Sequence, residues 1–217
     1  MIRKTTLADE PSKAPVKTTR KLRAFISVTD KSGLEKFKRF TDAGHEIVST
    51  GGTAKRLAEH DIPCTLVEEV TDFPEILDGR VKSMHPLITG GMLGNTKNPK
   101  HVEQMHEHGI EPFDLVVVNF YDFAGNPSIE NIDIGGPTAL RSAAKNGDCA
   151  VPIIDPDDYN EVLDHLLETG NISRYLREYL ANKVFTFTAK YDTAIAVWME
   201  RKRQAGERLF EQSSTSH

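Results

Sequence analysis

Four consecutive apolar residues, Leu115-Val-Val-Val118, constrain the fold of this chain more than any other feature. A strand with one face in water alternates apolar and polar residues, whereas a strand covered on both faces is apolar throughout. Asp114 and Asn119 flank the run, and its length is typical of a strand. The run therefore predicts a strand in a sheet with both faces covered.

Shorter apolar runs elsewhere predict further strands, at residues 24–28, 46–49, 64–67 and 149–154. The last contains Pro152, which indicates a sheet edge or a bulge because proline cannot donate to the ladder. Helical spacing of apolar residues predicts helices between the strands and a long helix from about Ser173 to Arg203. Strands that alternate with helices indicate an α/β fold, with a mostly parallel sheet and helices on both faces.

Composition excludes several classes of protein. The 217 residues are 38% hydrophobic and 27% charged, which is typical of one soluble globular domain. The net charge of −5 argues against a general nucleic-acid surface. No apolar run is long enough to span a membrane, and the basic first residues lack the apolar segment of a secretory signal. Cys64 and Cys149 lack metal-type spacing and are predicted to be buried thiols. We expect a cytoplasmic protein.

Two loops follow neighbouring predicted strands, where the ligands of parallel sheets bind. The first, Ser27-Val-Thr-Asp-Lys31, offers hydroxyls and a cation beside a helix N-terminus, and the second is Thr50-Gly-Gly-Thr53. Free backbone N–H groups at a helix N-terminus suit a phosphate. The alternatives are an ordinary helix cap by Thr29 or Asp30 and a tight strand-to-helix turn. Neither loop has the spacing of a Walker or GxGxxG motif.

A third segment, Arg80-Val-Lys-Ser-Met-His-Pro86, concentrates two cations and a hydroxyl within four residues. An anionic ligand would explain Arg80, Lys82 and Ser83 in one loop. The histidine-rich stretch that follows, with His101, is better explained by an amphipathic helix than by a metal site, because no second ligand set accompanies it.

Polar residues also follow the strongest strand. Asn119 could donate to a developing oxyanion, and Tyr121 could stack on a ring or donate its hydroxyl. The alternative is a turn asparagine and a rim tyrosine. Further along, Asp133 and Lys145 lie twelve residues apart, before and within a predicted helix. If the loop folds back they could pair and move a proton in a substrate amide, the alternative being a solvated salt bridge.

Four runs, SVTDKSGL, STGGTAKRL, DGRVKSMHP and NIDIGGPTALRSAAKN, occur in this order at residues 27–34, 49–57, 78–86 and 131–146. Together they resemble the inosine monophosphate (IMP) cyclohydrolase domain, the amino-terminal half of a bifunctional purine-biosynthesis enzyme. The resemblance covers residues 22–203, between a flexible basic tail at 1–21 and a frayed tail at 204–217. It implies a three-layer, methylglyoxal-synthase-like α/β domain. One departure is Asp122, where the family usually has proline.

The resemblance also implies the site residues. Matched positions imply substrate binding by Ser27, Thr29, Asp30, Lys31, Ser49, Thr50, Gly51, Gly52, Thr53, Arg80, Val81, Ser83, Ile134 and Gly135. They imply catalytic roles for Lys145 and Asp133 in proton handling, Asn119 at the oxyanion, and Lys82 and Tyr121 in orienting the base and helping water to leave.

The implied reaction is dehydrative closure of 5-formamidoimidazole-4-carboxamide ribonucleotide (FAICAR) to IMP, without metal or organic cofactor. A homodimer is expected, with a separate formyltransferase supplying the substrate. Two alternatives share the fold. One is a non-catalytic regulatory module that binds purine nucleotides, and the other is a lyase acting on a phosphorylated triose. The retained candidate catalytic residues and base-contacting loops argue against both.

Overall fold

A computed structural model describes residues 20–121 and 123–214, with side chains described as far as residue 205. Its centre is a five-stranded parallel sheet in the order β3-β2-β1-β4-β5. The strands are β1 (Arg23–Val28), β2 (Glu46–Ser49), β3 (Thr65–Leu66), β4 (Leu115–Asn119) and β5 (Val151–Ile153). The carboxyl ends of β1, β2 and β4 therefore meet at one edge of the sheet.

Eight α-helices connect and cover the strands in the described part of the chain. They are α1 (Lys38–Asp42), α2 (Gly51–Ala58), α3 (Val67–Thr71), α4 (Pro86–Leu93), α5 (Pro99–Glu107), α6 (Gly135–Lys145), α7 (Tyr159–Thr169) and α8 (Arg174–Ser214). Short 3-10 turns precede α1 and α7, at Leu34–Phe37 and Pro156–Asp158. None of the described helices is long and apolar enough to cross a membrane.

Successive residues of β4 pack into two different cores, which explains its unbroken apolar run. Leu115 and Val117 join a core formed with α1, α7 and the start of α8. Val116 and Val118 join a second core formed with α4, α6 and the later part of α8. All four side chains are 0–2% exposed. A polar substitution at any of these positions would therefore remove buried apolar surface from one of the two cores.

The predicted fold class is confirmed: helices cover both faces of a parallel sheet, and a long helix closes the chain. Pro152 lies in β5, which is an edge strand as predicted. The sequence pattern does not predict α3 and α4, because it indicates loop on both sides of Arg80. α8 is one continuous helix that extends past the predicted domain end at Arg203. Asp122 and the tail before residue 20 lie outside the described residues.

The histidines of the 101–108 stretch lie on and beside α5, an amphipathic helix that buries Met105 and exposes His106 and His108. His101 accepts a hydrogen bond from the backbone N–H of Asn95. Among the described residues, no group of three or more His, Cys, Asp or Glu side chains is arranged to hold a metal ion.

Candidate active site

The carboxyl ends of β1, β2 and β4 open onto a cavity of about 820 Å³. Two segments, residues 78–84 and 129–136, form the facing walls. The predicted site residues that line the cavity are Ser27, Thr29, Lys31, Thr50, Gly52, Thr53, Arg80, Lys82, Ser83, Asn119, Tyr121, Asp133, Ile134 and Gly135. The tertiary fold thus gathers four separate sequence motifs around one space.

Hydroxyl groups connect the two strand-end loops. The hydroxyls of Ser27 and Thr50 lie 2.9 Å apart. Buried Thr53 accepts a hydrogen bond from the N–H of Val28 and donates to the carbonyl of the same residue, at 3.0 and 3.2 Å. These hydrogen bonds fix the end of β1 to the first turn of α2 at the edge of the cavity.

The two glycines at the start of α2 leave open space. A Cβ atom added at Gly51 or Gly52 would meet no atom within 4 Å, and neither glycine has a positive φ. Their lack of side chains is therefore explained neither by internal crowding nor by backbone conformation. It exposes the N–H groups at a helix N-terminus, where the helix dipole favours an anion.

Asn119 organises the β1 loop. Its Oδ1 accepts hydrogen bonds from the N–H groups of Thr29 and Asp30, at 2.7 and 2.8 Å, and its Nδ2 donates to the carbonyl of Asp30 at 3.1 Å. Lys31 curls back in the same loop and donates to the carbonyls of Val28 and Thr29. Asn119 thus holds the loop that faces the cavity, a positioning role that the sequence reading did not predict.

A left-handed turn at residues 77–79 directly precedes the cationic segment that lines the cavity. Leu77, Asp78 and Gly79 have φ values of 55°, 53° and 84°, a conformation that a leucine rarely adopts. Arg80 and Lys82 follow directly, and the backbone of Val81 forms an antiparallel bridge with Ile76. Strain of this kind is typical of functional loops.

Both cations of this segment are paired with carboxylates. Arg80 donates to the two carboxylate oxygens of Glu130, at 2.6 and 2.5 Å, and thereby joins the two walls of the cavity. The Nζ atom of Lys82 lies 3.0 Å from Oε1 of Glu75. The sequence analysis missed both acidic partners. Glu130 is fifty residues from Arg80, so no local pattern could have revealed it.

Asp133 is a half-buried carboxyl group at the start of α6. Its Oδ1 accepts a hydrogen bond of 2.7 Å from the N–H of Gly136. Burial raises the pKa of Asp133, and the Gly136 N–H offsets this only in part. A Cβ on Gly136 would lie 3.0 Å from both the carboxylate and the Phe120 ring, so a larger residue would have to displace one of them by a few tenths of an ångström. Among the side chains that the structure describes, which extend to residue 205, no lysine or arginine forms an ion pair with Asp133.

Exposed apolar side chains line part of the cavity. Tyr121 is 68% exposed and Ile134 is 58% exposed. Met84 and Ile129 are also exposed and also line the cavity. Exposed side chains of this size at a polar cavity are suited to contact a flat ring.

Four predicted binding residues lie beside the cavity without lining it. Ser49 is buried and donates to the carbonyl of Ile26, Asp30 accepts from Ser32, Gly51 begins α2, and Val81 makes the bridge described above. They support the loops that face the cavity.

Lys145 lies away from Asp133. α6 begins at Gly135, two residues after Asp133, and its 11 residues place the Cα atom of Lys145 about 15 Å along the helix axis from that of Gly135. The side chain of Lys145 is exposed to solvent. The loop before α6 does not fold back over the helix, because Asp133 caps the first turn. The predicted Asp133–Lys145 pair is not formed within one chain.

The sheet and its cavity define the class of protein: a parallel α/β domain with an open cavity at its strand ends. Comparisons with known proteins give the family. The MGS-like domain matches residues 33–138, and the AICARFT/IMPCHase bienzyme matches residues 143–217. The chain therefore belongs to the family of the IMP cyclohydrolase domain, as its motifs predicted.

Individual relatives support the same family assignment. The chain is 50% identical over 183 residues to the bifunctional purine biosynthesis protein PurH of Macrococcus caseolyticus, covering 80% of this chain and 37% of the relative. It is 48% identical over 187 residues to PurH of Bacillus subtilis, covering 82% and 36%. The chain thus spans little more than a third of the length of these relatives. The crystal structure of ForH superposes with a TM-score of 0.73 at 32% identity, covering 81% of this chain and 95% of ForH.

Proposed function

We propose that this chain closes the purine ring, converting FAICAR to IMP by loss of water, the last step of de novo purine biosynthesis. One observation carries the proposal. The cavity combines a candidate anion-binding strand edge with the half-buried carboxyl group of Asp133, which has no ion-pair partner among the described side chains, and an apolar wall beside Tyr121. These features match the phosphate, the reacting amide and the imidazole ring of a purine ribonucleotide precursor. The family to which the chain belongs supports the same reaction.

The reaction asks for positioning and proton transfer rather than covalent catalysis. The carboxamide nitrogen attacks the formyl carbon of the same molecule, forming a C–N bond, and one amide proton passes to the former formyl oxygen to give a hydroxyl group. The C–O bond then breaks, the hydroxyl takes up a proton and leaves as water, and the formamido nitrogen loses its proton as the C=N bond of the purine forms. Holding the two groups together supplies much of the acceleration. We assign removal of the amide proton to Asp133, whose raised pKa brings it closer to the pH of the reaction.

Lys82 is the proposed source of positive charge at the developing oxyanion, since it lines the cavity and its partner Glu75 is only partly buried. Tyr121 is proposed to orient the base. The strand-end loops at residues 27–31 and 50–53 are proposed to bind the phosphate. Asn119 contributes by holding the first of these loops, because its Nδ2 already donates to Asp30.

The proposed roles of Lys145 and of a homodimer are connected. Lys145 is exposed and lies at the far end of α6, about 15 Å along the helix from Gly135 in the wall of its own cavity, so we propose that it acts in the cavity of a second subunit. When a subunit that lacks Lys145 pairs with a subunit that lacks Asp133, the mixed dimer contains one site that lacks both residues and one intact site. Lys145→Ala and Asp133→Asn, each inactive alone, are expected to regain up to about a quarter of wild-type activity when refolded together, since half of the molecules are mixed and carry one intact site of two.

The complementation is measured as turnover against mixing ratio, with each variant alone as the control. Lys145→Ala alone with full turnover would refute the catalytic assignment. Two inactive variants that stay inactive in a mixture whose heterodimers are detected by native mass spectrometry would refute action across the dimer.

Glu130 is expected to compete with the ligand for Arg80. The pair is 65% and 70% exposed, so it contributes no more than about 1 kcal/mol. Glu130→Gln should therefore tighten IMP binding by about 2- to 5-fold at low salt, with a smaller effect at high salt because exposed charges are screened. Calorimetric titration at two salt concentrations measures this. Asp148→Asn, which removes another exposed pair with Lys97, is the matched control and should leave affinity unchanged.

The proposed function is tested by mixing purified protein with FAICAR and following the ultraviolet band of the purine product. Turnover supports a cyclohydrolase. Tight binding of IMP without turnover would instead support a regulatory module. Turnover of dihydroxyacetone phosphate would support a lyase.

We also propose that a formyltransferase supplies the substrate, because FAICAR carries a formyl group that ring closure consumes, and that the reaction takes place in the cytoplasm.

A further inference from the structure

A tyrosine on the long helix α8 contacts the backbone on both sides of the Asp133 loop. Tyr191 is 6% exposed. Its hydroxyl accepts a hydrogen bond of 2.8 Å from the N–H of Asp133 and donates one of 3.2 Å to the carbonyl of Asn131. These two groups flank Ile132. One phenol therefore fixes the direction of the chain as it enters the cavity wall.

The ring of Tyr191 is held by aromatic neighbours. Phe120 packs against it edge-to-face with centroids 4.7 Å apart, and Phe123 does so at 6.1 Å. Phe120 directly follows β4, an interior strand of the sheet that ends at Asn119. The hydroxyl is thus positioned by the sheet and by α8 rather than by the loop that it binds.

The side chain of Asp133 depends on this anchoring. Its carboxylate reaches the N–H of Gly136 on one side, while its own N–H is held by Tyr191 on the other. A carboxyl group fixed at both its backbone and its side chain has little freedom to rotate. Preorganisation of this kind matters because a displacement of about 1 Å in a catalytic group is enough to cost about 100-fold in rate.

We propose that Tyr191 is a positioning residue for the ring-closure reaction: its hydroxyl holds the Asn131–Asp133 backbone so that the Asp133 carboxyl group faces the substrate amide. The inference rests on the proposed function, and it adds a residue from α8, 58 positions from Asp133 in sequence, to the site. Tyr191 itself does not line the cavity and touches no substrate in this assignment.

Tyr191→Phe removes the hydroxyl and keeps the ring that packs on Phe120. It leaves the N–H of Asp133 and the carbonyl of Asn131 without this partner, so the loop is expected to loosen and admit water. We expect kcat to fall by about 10-fold or more, while KM and the affinity for IMP change by less than about 3-fold. Affinity is preserved because the loops at residues 27–31 and 50–53, which are proposed to bind the phosphate, are not altered.

The pH profile provides a readout that a purely structural role would not move. Burial raises the pKa of Asp133, so water entering a loosened loop should lower that pKa. The acidic limb of the kcat profile of Tyr191→Phe is therefore expected at lower pH than in the wild type. Tyr175→Phe, a change of the same kind at an 81% exposed position on the same helix, is the control and should behave as the wild type.

Amide hydrogen exchange of residues 131–136 makes the test independent of turnover. Faster exchange at the Asp133 amide in Tyr191→Phe, with the remaining amides unchanged, supports the positioning role. Exchange and kcat both equal to the wild type would overturn it, as would a uniform rise in exchange that reports only global destabilisation. A wild-type protein that does not convert FAICAR contradicts the proposed function, and exchange at Asp133 then still decides whether Tyr191 holds the loop.

Discussion

Replacing Asp133 with asparagine is expected to reduce turnover of FAICAR by at least about 100-fold, the typical contribution of a positioned general base. Asparagine keeps the size of the side chain and retains an oxygen that can accept from the Gly136 N–H. The change therefore removes the ionisable group and leaves the cap of α6. Binding of IMP through the strand-end loops should be little affected.

The same substitution is expected to leave the protein at least as stable at pH 7. Burial raises the pKa of Asp133 in the folded state above its ordinary value of 3.8, so the folded state holds a proton at pH values where the unfolded state has lost it. The free energy of unfolding therefore decreases as pH rises from the ordinary pKa through the raised one. Asparagine carries no such cost. Its advantage should be absent near pH 3 and fully present above the raised pKa.

Two measurements check this expectation together: kcat from pH 5 to 9 and chemical denaturation across pH 3 to 8. Wild-type turnover should fall as pH drops through the raised pKa, because the base becomes protonated. Asp148→Asn, at an exposed carboxylate, should change neither quantity. An Asp133→Asn variant with substantial turnover would remove Asp133 from the mechanism.

Asn119→Ala is expected to weaken IMP binding by about 10- to 100-fold and to destabilise the protein by about 2–3 kcal/mol, since it removes three side-chain hydrogen bonds at about 1 kcal/mol each. The N–H groups of Thr29 and Asp30 lose the acceptor that fixes their direction. The loop at residues 27–31 then has to be ordered by the ligand itself, and that ordering lowers affinity.

Calorimetric titration with IMP, alongside urea denaturation, separates the two effects. Asn160→Ala, an exposed position on α7, should leave both affinity and stability near wild type. Loss of stability with full affinity for IMP would show that Asn119 supports the fold without organising the binding loop.

The sequence predicted the architecture because the determining signals are local. The four apolar residues Leu115–Val118 are enough to predict that both faces of their strand are covered. Pro152 predicts an edge strand because proline has no N–H to donate to a neighbouring strand. Likewise the rule that places ligands at strand ends needs only the order of the elements, so the sequence predicted that the hydroxyl and glycine residues of the strand-end loops line one cavity.

Pairings between distant residues could not be predicted in the same way. Glu130 and Arg80, or Tyr191 and Asp133, meet only because helices and loops pack around a shared sheet edge, and nothing in the intervening sequence encodes their distance. Lys145 shows the converse. Its separation of twelve residues from Asp133 in sequence allowed the two side chains to pair, but a continuous helix with a rise of about 1.5 Å per residue holds them apart. The sequence alone determined the sheet, the position of the candidate binding loops at its strand ends, and the family. The tertiary structure decided which side chains meet, because contacts between distant residues follow from packing and helix geometry rather than from local pattern.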